Sequence, residues 1–286
     1  MIFCALVLSG GQIFAAPDSK AERDYAAAVN AFNDGMYPRA EAEFNQFLKK
    51  FGTTANAPMA ALLEAQAKFK QDKFSEAANL LKSRLAGAGK LTDQYIYWIA
   101  EAQFGGGDFT DAAETFVTFS KNYPDSPLQL RAVVTAASAR AQAKQWPAGE
   151  RLLEEPNGVF QRAEKSNPGD ELVSRGRLLL AQAKFARKNY SGARVILDSL
   201  KSQSLSAALD WQRADLAYQN ESAAGDDNAA LAAATNLLQI ARRASNADWL
   251  AESAAARADE LEQLNRTGEA IATYSENLAT NSPAER

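Results

Sequence analysis

The residues that could do chemistry are few in this chain, and their types exclude more than they suggest. There is no histidine among the 286 residues and a single cysteine, Cys4. Without histidine the commonest general base is missing, along with the Ser-His and Cys-His nucleophile pairs and every His-containing zinc site. Cys4 lies in an apolar N-terminal segment, so a chain processed there would hold no thiolate for a metal, a disulfide or redox work. The adjacent carboxylates Glu154-Glu155 and Asp226-Asp227 carry groups suited to acid–base transfer or Ca²⁺. They fall at expected helix ends and turns, where a solvated pair is the simpler reading. Gly105-Gly106-Gly107 stands between two helical patterns and not after a strand, which makes it a reversal, not a phosphate loop. These residues predict no enzyme, no cofactor and no metal.

What remains is surface, and the charge narrows its use. Lys and Arg number 31 against 35 Asp and Glu, a net charge of −4. The basic residues are scattered, with pairs only at Lys49-Lys50, Arg187-Lys188 and Arg242-Arg243, so no basic stripe points to nucleic acid. A protein or peptide partner is expected instead.

The elements that present this surface recur. Between Tyr95 and Leu128 two helical patterns flank the glycines: Ile96, Ile99, Ala100 and Gln103 on the first, Phe109, Ala112, Ala113, Phe116 and Phe119 on the second. A hairpin of this size cannot bury both apolar stripes alone and has to stack on copies of itself. The copies are marked by an aromatic with a small residue three positions on: Tyr37/Ala40, Phe74/Ala77, Phe109/Ala112, Trp146/Gly149 and Tyr190/Ala193. The small residues recur at intervals of 37, 35, 37 and 44. Twelve residues ahead of them stand Ala28, Ala65, Ala100, Ala137 and Ala181; eight ahead, Phe32, Phe69, Phe104, Ala141 and Phe185; four after, Phe44, Leu81, Phe116, Leu153 and Leu197.

This pattern resembles the tetratricopeptide repeat. Unit 95–128 matches best, with Ala100, Gly107, Phe109, Ala112, Phe116 and Pro124 at the family's positions. The other units lack the usual Trp of the first helix, and several lack the closing Pro. The resemblance covers roughly residues 25–283. It implies an all-α, right-handed superhelical solenoid of helix-turn-helix units over residues 17–286. The units fall at 25–58, 59–94, 95–128, 129–171, 172–210, 211–249 and 250–283, with an insertion at 156–171. Within the insertion VFQRAEK is expected to add a short helical turn at one edge. The turn NYPDSP resembles those of bacterial cell-envelope members, the Tol-Pal-associated and outer-membrane assembly kinds.

In such a superhelix the first helix of each unit, helix A, lines a concave groove in which a partner lies. Placed by their distance from the recurring alanine, the groove residues are Tyr25, Val29, Leu62, Gln66, Tyr97, Glu101, Val134, Ser138, Arg175, Leu178 and Gln182. Tyr97 is expected to face the groove and Trp98 to face elsewhere, while Phe32, Phe69, Phe104 and Phe185 pack between units. Apolar, amide and acidic groups with no dense basic clamp suit an extended peptide.

Residues 1–16 read as a secretory signal: an apolar run over 2–8, then small residues ending at Ala15-Ala16, with no Lys or Arg ahead of them. The run is too short to span a membrane. Cys4, with three residues before it, is badly placed for lipid attachment. The expectation is therefore an exported, non-catalytic scaffold for protein–protein interaction in the periplasm or at the inner face of an outer membrane. Its alternatives are an oligomerising structural subunit, or the repeat part of a longer envelope-assembly or enzyme chain.

Overall fold

The computed structural model describes residues 19–281, with side chains through Glu276. The N-terminal segment read as an export signal, Cys4 and Pro283 lie outside the described residues. Among the described residues every regular element is helical, with fifteen α-helices, two short 3₁₀ segments and no strand, as an all-α fold requires.

One turn is used throughout. The residue two places before each second helix (helix B) has a positive φ: Gly35, Asp72, Gly107, Lys144, Lys188, Gly225 and Asn265. The next N–H reaches back five residues to a carbonyl near the end of helix A, as in Met36 N to Ala31 O at 2.9 Å, Asp108 N to Gln103 O at 2.9 Å and Asn189 N to Lys184 O at 2.9 Å. This is the Schellman arrangement, which gives the last carbonyls of helix A a partner. Aromatic pairs close over three of the turns: Phe32 on Tyr37, Phe69 on Phe74 and Phe185 on Tyr190, with centroids 5.7, 5.1 and 5.9 Å apart. These phenylalanines therefore pack first within their own hairpins. Phe69 also reaches the next unit, where it meets Trp98 edge-on at 5.5 Å, and Phe185 shares a cluster with Leu216 of the unit that follows it.

The three consecutive glycines do different things. Gly107 takes the left-handed turn at φ +84°. Gly105 ends a helix, where a Cβ would stand 2.6 Å from the Phe74 ring.

The helices form two compact units, one ending at Asp108 and the other beginning at Phe109. The first contains α1 (Lys20–Asn33), α2 (Tyr37–Phe51), α3 (Ala57–Phe69), α4 (Phe74–Arg84) and α5 (Thr92–Gly105). Ser19 and Glu22 make a reciprocal capping box at the start of α1, and Pro38 and Pro58 occupy first turns where no N–H is needed. Its core sets alanines against rings: Ala28, Ala40, Ala60 and Ala61 are fully buried beside Phe44 and Phe47. Small side chains let neighbouring helices approach closely enough to shut water from the rings.

The second unit contains α6 (Phe109–Asn122), α7 (Gln129–Gln142), α8 (Trp146–Glu154), α9 (Val159–Ser166), α10 (Glu171–Ala186), α11 (Tyr190–Leu200), α12 (Ala207–Ala224), α13 (Asp227–Ala244), α14 (Ala247–Gln263) and α15 (Thr267–Asn281). Side-chain caps from Asp170, Asn189, Asp226 and Asn246 fix four helix starts. Trp211 of α12 stacks flat on Trp249 of α14, centroids 4.7 Å apart. The insertion is a full two-turn helix, α9, and it is structural. Its Phe160 is 1% exposed and sits where a Cβ on Gly176 of α10 would be.

Successive hairpins meet through one recurring pair of places. The residue after the small residue of helix B faces the residue three after the small residue of the next helix A. Glu41 pairs there with Lys68 at 2.7 Å and Glu150 with Lys184 at 2.9 Å, while Arg194 with Glu221 reverses the signs. At the last such junction Leu231 packs on the cluster around Leu261.

Two substitutions should move stability in opposite directions in denaturant titrations. Lys188→Gly removes a side chain from φ +60° and should stabilise by about 0.5–1 kcal/mol. Gly176→Ala, normally favourable inside a helix, should destabilise by about 1–3 kcal/mol, because buried Phe160 has nowhere to move.

Candidate functional site

The A-helix surface divides into two rows. The row three residues before the recurring alanine turns inward: Leu62 is 1% exposed, Tyr97 4% and Val134 5%. Tyr25 is half-buried between Phe44 and Phe47, at 6.3 and 5.5 Å, and that burial raises its phenol pKa. Leu178 is half-buried in a cluster with Leu197 and Ala181.

The placement of Leu62 and Tyr97 in the groove is corrected by this burial, as is that of Val134. Their side chains belong to the core: Leu62 shares a buried cluster with Phe44 and Ala61, and Val134 shares one with Val173 and Leu180. Tyr97 donates its hydroxyl to Glu101 one turn on, at 2.5 Å. Trp98, expected to point away, is the more accessible of the adjacent pair.

The row one residue after the alanine stays accessible. Val29, Gln66, Glu101 and Ser138 are half-exposed and Gln182 is exposed. Seven residues earlier on the same helices, and so two turns along the same face, stand Glu22, Met59, Gln94, Arg131 and Arg175. Sequence reasoning picked only Arg175 from this second row. A count of seven back from Val29, Gln66, Glu101 and Ser138 would have found the others. Arg175 is held by Glu171, one turn before it, at 2.7 Å. The stripe in the first unit thus carries acid and amide groups, and that in the second carries arginine, amide and hydroxyl.

The strongest local electrostatics lie off this stripe. Burial pushes the Glu41 carboxyl up, but hydrogen bonds from Lys68, Lys73 and Gln71, at 2.7 to 2.8 Å, outweigh it and hold the group at about 2. A hollow of about 350 Å³ beside it is lined by Pro38, Glu41, Ala42, Asn45 and Lys73. Glu150, between Lys184 and Arg187, is likewise lowered against its burial. Glu64 goes the other way. It is 1% exposed, and burial raises its carboxyl more than the Asn45 hydrogen bond lowers it. Among the described residues no group of three or more Asp, Glu, Cys or His could hold a metal ion, and no helix is long and apolar enough to cross a membrane.

A family model of the tetratricopeptide repeat matches residues 94–126, the stretch where the sequence resemblance is closest. Solved structures share the fold along nearly the whole chain. A tetratricopeptide repeat protein from Parabacteroides merdae is 15% identical, with a TM-score of 0.62 over 91% of this chain and 93% of that one. The C-terminal part of a repeat-containing protein from Cytophaga hutchinsonii, also 15% identical, gives 0.67 over 91% and 96%. The apo form of RapI, 11% identical, gives 0.65 over 94% and 78%. No curated protein sequence matches the chain. At these identities the likeness defines a tetratricopeptide-repeat fold and leaves the ligand open.

Glu41 supplies a pH test. Its folded pKa of about 2 lies below the usual 4.5, so its stabilisation is complete above pH 4.5 and is lost as the pH falls toward 2. Glu41→Gln should cost about 2–3 kcal/mol at pH 7 and almost nothing near pH 2, read from denaturant midpoints at each pH.

Proposed function

We propose that the protein is a non-catalytic interaction scaffold of the bacterial cell envelope that holds an extended peptide or protein segment along the exposed stripe of its A helices. The observation that carries this reading is the division of that surface. Within each compact unit the first row turns wholly or partly inward, and the row beside it stays accessible, with Gln66 in the first unit and Ser138 and Gln182 in the second. Amides and hydroxyls on rigid helices can hydrogen-bond an extended backbone without demanding one side-chain sequence, and the apolar Val29 and Met59 add modest burial. The family fold supports protein partners. Envelope location rests on the N-terminal sequence and the NYPDSP turn alone.

Photocrosslinking amino acids at Gln66, Ser138 and Gln182 should capture protein in native cells, whereas the same probe at Lys82 and Val195, exposed on B helices, should not. Equal capture at both sets would sink the groove reading. N-terminal sequencing of the same protein should find the chain cut near Ala16; an intact N-terminus on cytoplasmic protein would remove the envelope assignment.

A further inference from the structure

In the second compact unit the accessible stripe of the A helices has a direction, because its charges are sorted by sign. The A helices there are α7, α10, α12 and α14, and Tyr218 and Ala258 hold the alanine's place in the last two. Six residues before that place stand Arg131, Arg175, Gln212 and Glu252. One residue after it stand Ser138, Gln182, Gln219 and Asp259. None of the eight is buried. In chain order the first row passes from cation through amide to carboxylate, and the second from hydroxyl through amide to carboxylate. The whole helices follow the same order: α7 carries two arginines and no acid, whereas α14 carries five carboxylates and one arginine.

These helices lie side by side. α10 packs on both α7 and α12. The stacked Trp211 and Trp249 join α12 to α14. Burial, and then the neighbouring carboxylates of Glu260 and Asp259, raise the Tyr218 phenol to about 12, so the acids of α14 stand against α12. The charges at both ends of the stripe are open to a ligand. Among the described residues Arg131 and Glu252 have no ion pair. Arg175 is paired with Glu171, but the two side chains are 37% and 43% exposed, and a pair so exposed can exchange partners at little cost. Asp259 accepts from the Tyr274 hydroxyl at 3.1 Å through one oxygen, which leaves the other for a cation.

We propose that the segment held along this unit is itself sorted by charge, with acidic residues against α7 and α10, uncharged ones over the amides of α12, and lysine or arginine against α14. This rests on the reading of the stripe as a peptide site and adds which peptide it takes. Charge complementarity argues for this occupant. A segment of one sign is repelled at one end, whereas a sorted segment is attracted at both and is held in one register. Between the ends, Gln212 and Gln219 carry amides that can both donate to and accept from a backbone.

The test is fluorescence anisotropy on the full chain with labelled synthetic peptides of one composition. In the sorted peptide glutamates occupy one end, lysines the other, and serine and alanine the middle; in the control the same residues alternate in sign. The sorted peptide is made in both chain directions. In at least one direction it should bind about tenfold more tightly than the control, and the advantage should vanish at about 1 M salt, where charges are screened within about 3 Å. Arg131→Glu with Arg175→Glu should lose the sorted peptide and take one with lysines at both ends. Glu252→Lys with Asp259→Lys should lose it too and take one with glutamates at both ends. Equal binding of sorted and control peptides, or loss in the variants without that exchange, overturns the proposal. Crosslinking from Ser138 and Gln182 then separates the two failures: capture without charge order leaves the scaffold reading standing, and no capture removes both. Circular dichroism and Tm establish that the variants are folded; where one is not, Arg131→Gln or Glu252→Gln tests the same end.

Discussion

Every hairpin among the described residues reverses in two to four residues, and each does so by placing one of them in a left-handed backbone conformation. At Gly35, Gly107 and Gly225 the conformation costs little, whereas at Asp72, Lys144, Lys188 and Asn265 a side chain is held where L-residues are disfavoured by about 1 kcal/mol or more. What holds them is collective. The backward hydrogen bond fixes the end of helix A, the aromatic pairs over the turn fix the angle of helix B, and the alanines then set the distance between helices. Loosening the turn would release the apolar stripes of both helices at once.

The hairpins were legible from the sequence because they rest on strong local signals: an alanine, an aromatic and an apolar residue at fixed distances. The left-handed turns at Lys144 and Lys188 were not, because nothing in a lysine side chain announces a positive φ; only their place in the repeat does. The insertion shows the same limit. Its helical pattern was visible, but its depth depends on Gly176, a residue outside it whose lack of a side chain makes room for Phe160.

The candidate site was half legible. Helical periodicity gives the angle between residues but not the rotation of a helix about its own axis, which is set by what it packs on. Gln66 and Gln182 stay accessible, but a polar side chain alone does not decide that, since Glu64 and Asn220 on the same kind of helix are buried. Leu62 and Tyr97 were misplaced because an apolar or aromatic residue suits a groove or a core equally, and the tie is broken by neighbours distant in sequence. Burial of Tyr97 at 4% exposure is a property of the packed array, not of helix α5.

The sign reversal between Arg194 and Glu221 has a consequence for how such a chain can change. A change that removed whole hairpins would bring together helices that are not neighbours now. Joining α12 directly behind α2 would set Glu221 against Glu41, two carboxylates at a place where the native neighbours are lysines. The hairpins of this array have become parts with an address. The charges along these seams thus bias which hairpin can follow which.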